Sequence, residues 1–199
     1  MNNLNMHLLY LAGLILLTSC NIDVPEKQET TLFDLEATIK TQLNLLDSIT
    51  PEVIKFSRVN EKMDTARLKP DSTQWASELE FFIKANINKP GVKENYDIVT
   101  DTSGNDVTIT YKLTDEALSG IDHLNVYFTD NRLTNLEAFY HEENIIFFTE
   151  RNLLMNFTQN DEGQLFIKDF SVIGKQKMML MDSVKFNVHS KIQWPKATF

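Results

Sequence analysis

The apolar positions of the chain follow a helical spacing in the first half. From Leu32 to Ile49 an apolar residue recurs every three or four positions, which predicts an amphipathic helix. Similar stripes over Val53–Ala66 and Trp75–Ile83 predict two more helices, with prolines at the breaks between them. We therefore expect residues 32–90 to be helical.

The second half of the chain follows the spacing of β-strands. In Val184–Trp194 apolar and polar residues alternate, as in a strand with one buried face. Further runs, among them Ile145–Glu150, Leu153–Thr158 and Met178–Met181, are separated by short polar turns. We expect an α+β fold in which N-terminal helices precede a curved antiparallel β-meander of about seven or eight strands, within residues 95–194.

Composition excludes several classes of protein. The chain has 199 residues, 42% of them hydrophobic, which is too many for a wholly disordered protein. Its net charge of −9 is unfavourable for a general nucleic-acid binder, so we expect no nucleic-acid partner. With a single cysteine it has no internal disulfide framework.

The N-terminus has the pattern of an export signal. No charged side chain occurs in the first twenty residues, and Leu8–Leu17 is an apolar run too short to span a bilayer. The run ends in Leu17-Thr18-Ser19-Cys20, which resembles the lipobox of bacterial lipoproteins. The resemblance implies that residues 1–19 form a signal peptide and that Cys20 carries lipid.

The same resemblance implies an address in the cell envelope. Residues 20–31 would be a lipidated tether, and residues 32–199 a single α+β domain held at a membrane. In bacterial lipoproteins an aspartate after the cysteine favours the inner membrane in some species. Asn21 therefore favours the outer membrane.

Some predicted strands are apolar on both faces and supply the candidate binding residues. Phe147, Phe148, Met155 and Met179 belong to runs without alternation. Three interpretations stay open: an ordinary core, the lining of a hydrophobic-ligand cavity, or a surface that binds a protein partner. The arrangement of a tethered sheet with helices is similar to the periplasmic lipoprotein carriers and their outer-membrane receptors, which implies an acyl-binding cavity between sheet and helices.

A basic segment close to the C-terminus supplies candidate contacts to anions. Between Gly174 and Lys196 there are five lysines and one aspartate, in a chain that is acidic overall. Lysines on a strand protect a sheet edge, or bind an acidic partner or anionic lipid headgroups. The lysines that we assign to such contacts are Lys175, Lys177, Lys185 and Lys191.

The sequence offers no motif for catalysis. His141-Glu142-Glu143-Asn144 lacks the second histidine of the zinc motif H-E-x-x-H, and no nucleophile elbow or phosphate loop occurs. We expect no metal, no cofactor and no enzymatic activity. The predicted function is a non-enzymatic interaction or accessory subunit at the membrane, and the alternative is a lipid or hydrophobic-ligand carrier.

Overall fold

The computed structural model describes residues 32–115, 120–195 and 198. The predicted signal peptide, Cys20 and the tether lie outside the described residues. Leu32–Phe199 forms one compact unit. Its helices are α1 (Leu35–Ile49), α2 (Ser72–Glu78) and α3 (Glu80–Lys84), followed by a 3₁₀ turn at Lys93–Asn95. The strands are β1 (Glu52–Val59), β2 (Lys62–Leu68), β3 (Tyr96–Ser103), β4 (Asp106–Leu113), β5 (Gly120–Thr129), β6 (Arg132–Glu143), β7 (Phe147–Gln159), β8 (Leu165–Met178) and β9 (Val184–Gln193).

The nine strands form one open antiparallel sheet in the order β2-β1-β9-β8-β7-β6-β5-β4-β3. From β3 to β9 each strand pairs with the next one along the chain, which confirms the predicted antiparallel meander. The β1–β2 hairpin adds two strands beyond β9, through pairs that begin at Glu52 and Gln193. The sheet is not closed, and β2 and β3 are its edge strands.

Helix α1 confirms the first predicted helix. Its N-cap is Asp34, whose carboxylate accepts a hydrogen bond from the backbone N–H of Ala37 at 2.9 Å. The helix ends at Thr50, which adopts a left-handed conformation. Its stripe of Leu35, Ile39 and Leu46 is fully buried.

The second predicted helix is wrong, because Val53–Ala66 lies in the β1–β2 hairpin. The apolar residues of this segment are three or four positions apart, as in a helix. In the hairpin they lie on both faces of the strands, so the helical spacing is a coincidence. The β-branched residues of the segment favour a strand, and Asn60 takes the left-handed turn conformation at a φ of 52°. The decisive partner, β9, lies more than a hundred residues away and leaves no local signal.

The third predicted helix is present as two short ones. Asp71 caps α2 in a capping box, in which the Asp71 carboxylate and the Gln74 side chain each accept a backbone N–H. Trp75 of α2 and Phe82 of α3 are buried against the sheet, the latter edge-to-face with Phe170 at 5.9 Å. Residues 32–90 are therefore a helix, a hairpin and two short helices, rather than helical throughout.

The strands near the C-terminus are fewer and longer than their sequence runs indicated. Ile145–Glu150 and Leu153–Thr158 mostly belong to the single strand β7. Ile145 and Ile146 precede it, in the β6–β7 turn. Met179–Met181 is not a strand either, since it lies in the β8–β9 turn.

Two side chains complete the hydrogen bonding of β8 where its pairing with β9 has ended. The Gln42 amide donates to the carbonyl of Leu165 at 3.0 Å and accepts the N–H of Ile167 at 2.8 Å. Trp194 Nε1 donates to the carbonyl of Ile167 at 2.7 Å. Since β8 pairs with β9 only from Asp169 onward, these groups take the place of a neighbouring strand.

Gly174 on β8 leaves no room for a side chain. A Cβ atom at this position would lie 2.2 Å from the carbonyl oxygen of Glu150 and 2.9 Å from Cζ of Phe186. Only glycine fits there without displacing backbone.

No helix within the described ranges is long and apolar enough to cross a bilayer.

Candidate functional site

The two faces of the sheet differ in what covers them. On β5 to β8, the side chains that face the helices are buried, including Leu124, Leu136, Met155 and Phe170. The alternate side chains are polar or aromatic and half-buried to exposed, as the alternation along a strand requires. We call the surface that these alternate residues form the open face: His123, Asn125, Tyr127, Asn135, Glu137, Phe139, Asn152, Ile173, Lys175, Lys185, Asn187 and His189.

A groove of about 900 Å³ lies on the open face, near the ends of β1, β6, β8 and β9. Phe139 and Ile173 contribute apolar side chains to its lining, whereas the ring of Phe186, which lies between Lys185 and Asn187 on β9, packs against the core on the other face. Charged residues surround this apolar part: Arg58, Glu61, Glu150, Lys175 and Lys185. The groove is thus an apolar floor within a ring of mixed charge.

The charges of the groove are only partly paired. Lys175 Nζ lies 3.0 Å from the Glu150 carboxylate and 5.1 Å from the ring centre of Phe148. Lys185 is the residue directly opposite Lys175 across the β8–β9 pair. Like charges on directly opposite residues disfavour pairing, and the Glu150 carboxylate offsets this repulsion at Lys175.

A network of amides and carboxylates occupies the centre of the open face. Glu137 accepts a hydrogen bond from the Tyr127 hydroxyl at 3.1 Å, with Asn125 and Asn152 each 3.5 Å away. Burial raises the pKa of Tyr127, and the neighbouring Glu137 carboxylate raises it further. The Asn152 Oδ1 atom is buried without a hydrogen-bond partner, so the groove lining contains one unsatisfied acceptor.

The three histidines beyond the predicted signal peptide each have a separate partner. His123 contacts Asp122 at 2.8 Å, His189 contacts the Ser171 hydroxyl at 2.8 Å, and His141 lies 3.8 Å from Glu143. His123 also stacks on Phe139, and His189 on Phe56. Within the described part of the chain, no group of three histidines, cysteines or carboxylates could hold a metal ion.

A smaller cavity of about 220 Å³ lies between α3 and the helix-facing side of the sheet. The Arg151 guanidinium is 4.7 Å from the ring centre of Phe81 and 5.5 Å from that of Tyr140. Its Nε atom is buried without a hydrogen-bond partner. Burial, followed by the hydrogen bond to Glu142, raises the pKa of Tyr140 to about 12.

The four apolar candidate residues do not form one surface. Met155 is fully buried in the core opposite Leu136 and Phe170. Phe147 and Phe148 are adjacent on β7, so they point to opposite faces of the sheet, and only Phe148 reaches the open face. Met179 lies in the exposed β8–β9 turn.

Three of the four candidate lysines lie at one end of the sheet. Lys175 and Lys185 line the groove, and Lys177 is the residue opposite Phe148. Lys191 lies farther along β9, opposite Asp169. The interpretation of the lysines as one group therefore applies to the first three.

The sequence interpretation missed an exposed apolar surface, which we call the apolar tip. It consists of large apolar side chains in the β6–β7 turn, at the end of β8 and in the β8–β9 turn: Ile145, Ile146, Met178, Met179, Leu180 and Met181. Asn144 forms the turn, and its Oδ1 atom accepts hydrogen bonds from the N–H groups of Ile146 and Phe147. Because asparagine is a typical turn residue, it was the sequence signal that Ile145 and Ile146 precede the strand.

No protein-family model matches the chain, and no curated protein matches it at a significant level.

Proposed function

We propose that this protein is a cell-envelope lipoprotein that acts as a non-enzymatic interaction or accessory subunit at the outer membrane. Lipid on Cys20 anchors it, and the open-face groove binds an anionic segment of an envelope protein. The lipobox-like Leu17-Thr18-Ser19-Cys20 supports the anchor. The opposed lysines of the groove support the binding role.

The Lys175–Lys185 pair is the observation that carries the binding proposal. Neither lysine is needed for the core, and their direct opposition costs stability. Glu150 is within salt-bridge distance of Lys175 and Glu61 lies 3.8 Å from Arg58, whereas Lys185 is exposed in the same groove. An anionic partner would meet at least two cations around an apolar floor.

The anchor is tested by replacing the lipidated residue. In Cys20→Ser we expect intact-protein mass spectrometry to show that the mass of the lipid is lost. Ser19→Ala keeps the small residue before the cysteine and serves as the matched control. A Cys20→Ser chain that shows no loss of the lipid mass would refute the anchor.

The groove is tested by site-specific photo-crosslinking in intact cells. A crosslinking amino acid in place of Asn187, which is exposed in the groove, should capture a partner. The same group in place of Asp101, which is exposed on the edge strand β3, is the control. Lys185→Glu should abolish the capture at position 187. Equal products at both positions, or none, would count against the groove.

The alternative function, a carrier of lipid or another hydrophobic ligand, is favoured by the size of the groove. About 900 Å³ is within the range of small-molecule sites, and the floor of Phe139 and Ile173 is apolar. The site proposed for the ligand therefore moves from between sheet and helices to the open face. Native mass spectrometry of the chain from Asn21 onward, purified from its host, tests this proposal: a co-purifying lipid mass supports it, and a bare protein mass contradicts it.

A further inference from the structure

Two neighbouring turns form the apolar tip at one end of the sheet. The N–H of Met179 in the β8–β9 turn donates to the carbonyl of Ile146 in the β6–β7 turn at 2.8 Å, so the two turns are held side by side. The adjacent β1–β2 turn is fixed to the same end, where the N–H of Asn60 donates to the carbonyl of Lys185 at 2.8 Å. The tip is therefore part of an ordered sheet end.

The exposure of this surface is extreme for residues of its type. Ile145 is 93% exposed and Leu180 is 97% exposed, and the other members of the apolar tip are more than half exposed. Leu180 also adopts a left-handed conformation, with a φ of 66°, which is unfavourable for a bulky residue. A surface turn that needed only to be soluble would favour asparagine or glycine there.

The composition of the tip favours a lipid bilayer over a protein partner. Protein interfaces concentrate their binding energy in tryptophan, tyrosine and arginine that fill pockets. The tip has only isoleucine, methionine and leucine, and it projects at turns rather than forming a groove. Aliphatic side chains at the end of a hairpin suit insertion among lipid headgroups and the first methylene groups below them.

Charge around the tip is complementary to an anionic membrane surface on the β8–β9 side. Lys175, Lys177 and Lys185 flank this hairpin, against Asp182 alone within it. On the β6 side, Glu142 and Glu143 are acidic, and the Glu142 carboxylate accepts a hydrogen bond from the Tyr140 hydroxyl. An anionic bilayer would therefore be approached with the β8–β9 hairpin foremost.

We propose that the apolar tip inserts into the headgroup region of an anionic lipid bilayer, with Leu180 deepest and Lys177, at the end of β8, near the phosphates. This contact is separate from the lipid on Cys20 and does not require it. In the lipidated protein it would be a second attachment, because a tether of twelve residues spans at most about 43 Å and keeps the domain close to the surface.

Vesicle flotation of the chain from Asn21 onward tests the proposal without the lipid anchor, since the compact unit that contains the core begins at Leu32. The vesicles are phosphatidylcholine alone or with 30% phosphatidylglycerol. We expect the protein to float with both and more strongly with the anionic vesicles. The double variant Ile145→Asn with Leu180→Asn should bind at least tenfold more weakly, and asparagine tolerates the left-handed turn.

A matched control separates the tip from general surface hydrophobicity. Val99→Thr removes exposed apolar surface from the distant edge strand β3 and should bind vesicles like the wild type. Wild-type protein that fails to float with either vesicle, or a double variant that floats as well as the wild type, would overturn the proposal. A tip that binds only a protein would give the first of these results.

The depth of insertion gives a second, independent readout. From Asn21 onward the chain contains no cysteine, so Leu180→Cys can be labelled uniquely with an environment-sensitive fluorophore. On anionic vesicles we expect a blue shift of the emission and quenching by lipids that carry a quencher near the headgroup. The same label at Val99→Cys should not respond. Equal spectra with and without vesicles at position 180 would contradict insertion.

Discussion

Replacing Gln42 by leucine tests whether a side chain can stand in for a missing strand. Gln42 is fully buried on α1, and its amide makes two hydrogen bonds to the backbone of β8, at Leu165 and Ile167. Leucine keeps the approximate volume and the helix propensity but removes both hydrogen bonds. The carbonyl of Leu165 and the N–H of Ile167 would then face an apolar group.

The cost follows from those two backbone groups. Each buried donor or acceptor that is left without a partner costs about 1–3 kcal/mol. At about 2 kcal/mol each, the two groups together cost about 4 kcal/mol. The apolar surface that leucine adds to the core returns about 1 kcal/mol. We therefore expect Gln42→Leu to lower the free energy of unfolding by about 3 kcal/mol, and the melting temperature by roughly 6–12 °C for a domain of this size.

Urea unfolding followed by tryptophan fluorescence measures this loss directly. Trp75 lies in the core and Trp194 bonds to Ile167, so the signal reports on the same region. Gln164→Leu is the control, since Gln164 is exposed and its replacement should change stability by less than about 0.5 kcal/mol. If Gln42→Leu unfolds at the same urea concentration as this control, α1 does not complete the hydrogen bonding of β8.

Three further predictions concern the sheet and its charges. Gly174→Ala should lower the free energy of unfolding by about 2 kcal/mol in urea, because the new methyl group meets backbone of the neighbouring strand; an unchanged midpoint would show that the strands separate without cost. Burial raises the pKa of Tyr96 and of Tyr140 to about 12, so the folded chain holds these protons more tightly than the unfolded chain. The contribution of the two protonated tyrosines to the free energy of unfolding is complete below about pH 10 and is lost as the pH rises to about 12. Stability should therefore fall between these two pH values, and the phenolate absorbance of the folded protein should appear at a higher pH than that of the protein unfolded in urea. Lys185→Glu should raise the urea midpoint while it abolishes capture of the anionic partner, and a lower midpoint would refute the account of the opposed lysines.

The sequence predicted those elements whose signal is local. Helix α1 has a regular apolar stripe, and β9 has strict alternation, so both were predicted in nearly their observed positions. The hairpin at Glu52–Leu68 was not predicted, because its strand character depends on pairing with β9 at the other end of the chain. A helical periodicity that arises by coincidence cannot be distinguished from a real one without that partner.

The candidate site was predicted in part, for a related reason. Lys175, Lys177 and Lys185 lie together because β8 and β9 are consecutive strands, whereas the sequence runs predicted a further strand at Met178–Met181 between them. Met155 and Met179 were grouped because both lie in apolar runs, yet one is core and the other is exposed. Alternation along a strand assigns each residue to a face only after the strand limits are known, and the limits of β7 and β8 were misplaced by the apolar turns.

The pairing of β1 with β9 also has a kinetic consequence. Glu52 lies opposite Gln193, and Gln42 of α1 bonds to Leu165 and Ile167, so elements from the beginning of the domain depend on partners made last. Contacts of such sequence separation give a high contact order and slow folding. Because synthesis runs from the N-terminus, α1 and the first hairpin wait for the final strands before they acquire their native neighbours. A chain that lost its last fifteen residues would therefore leave its N-terminal hairpin without a sheet to join.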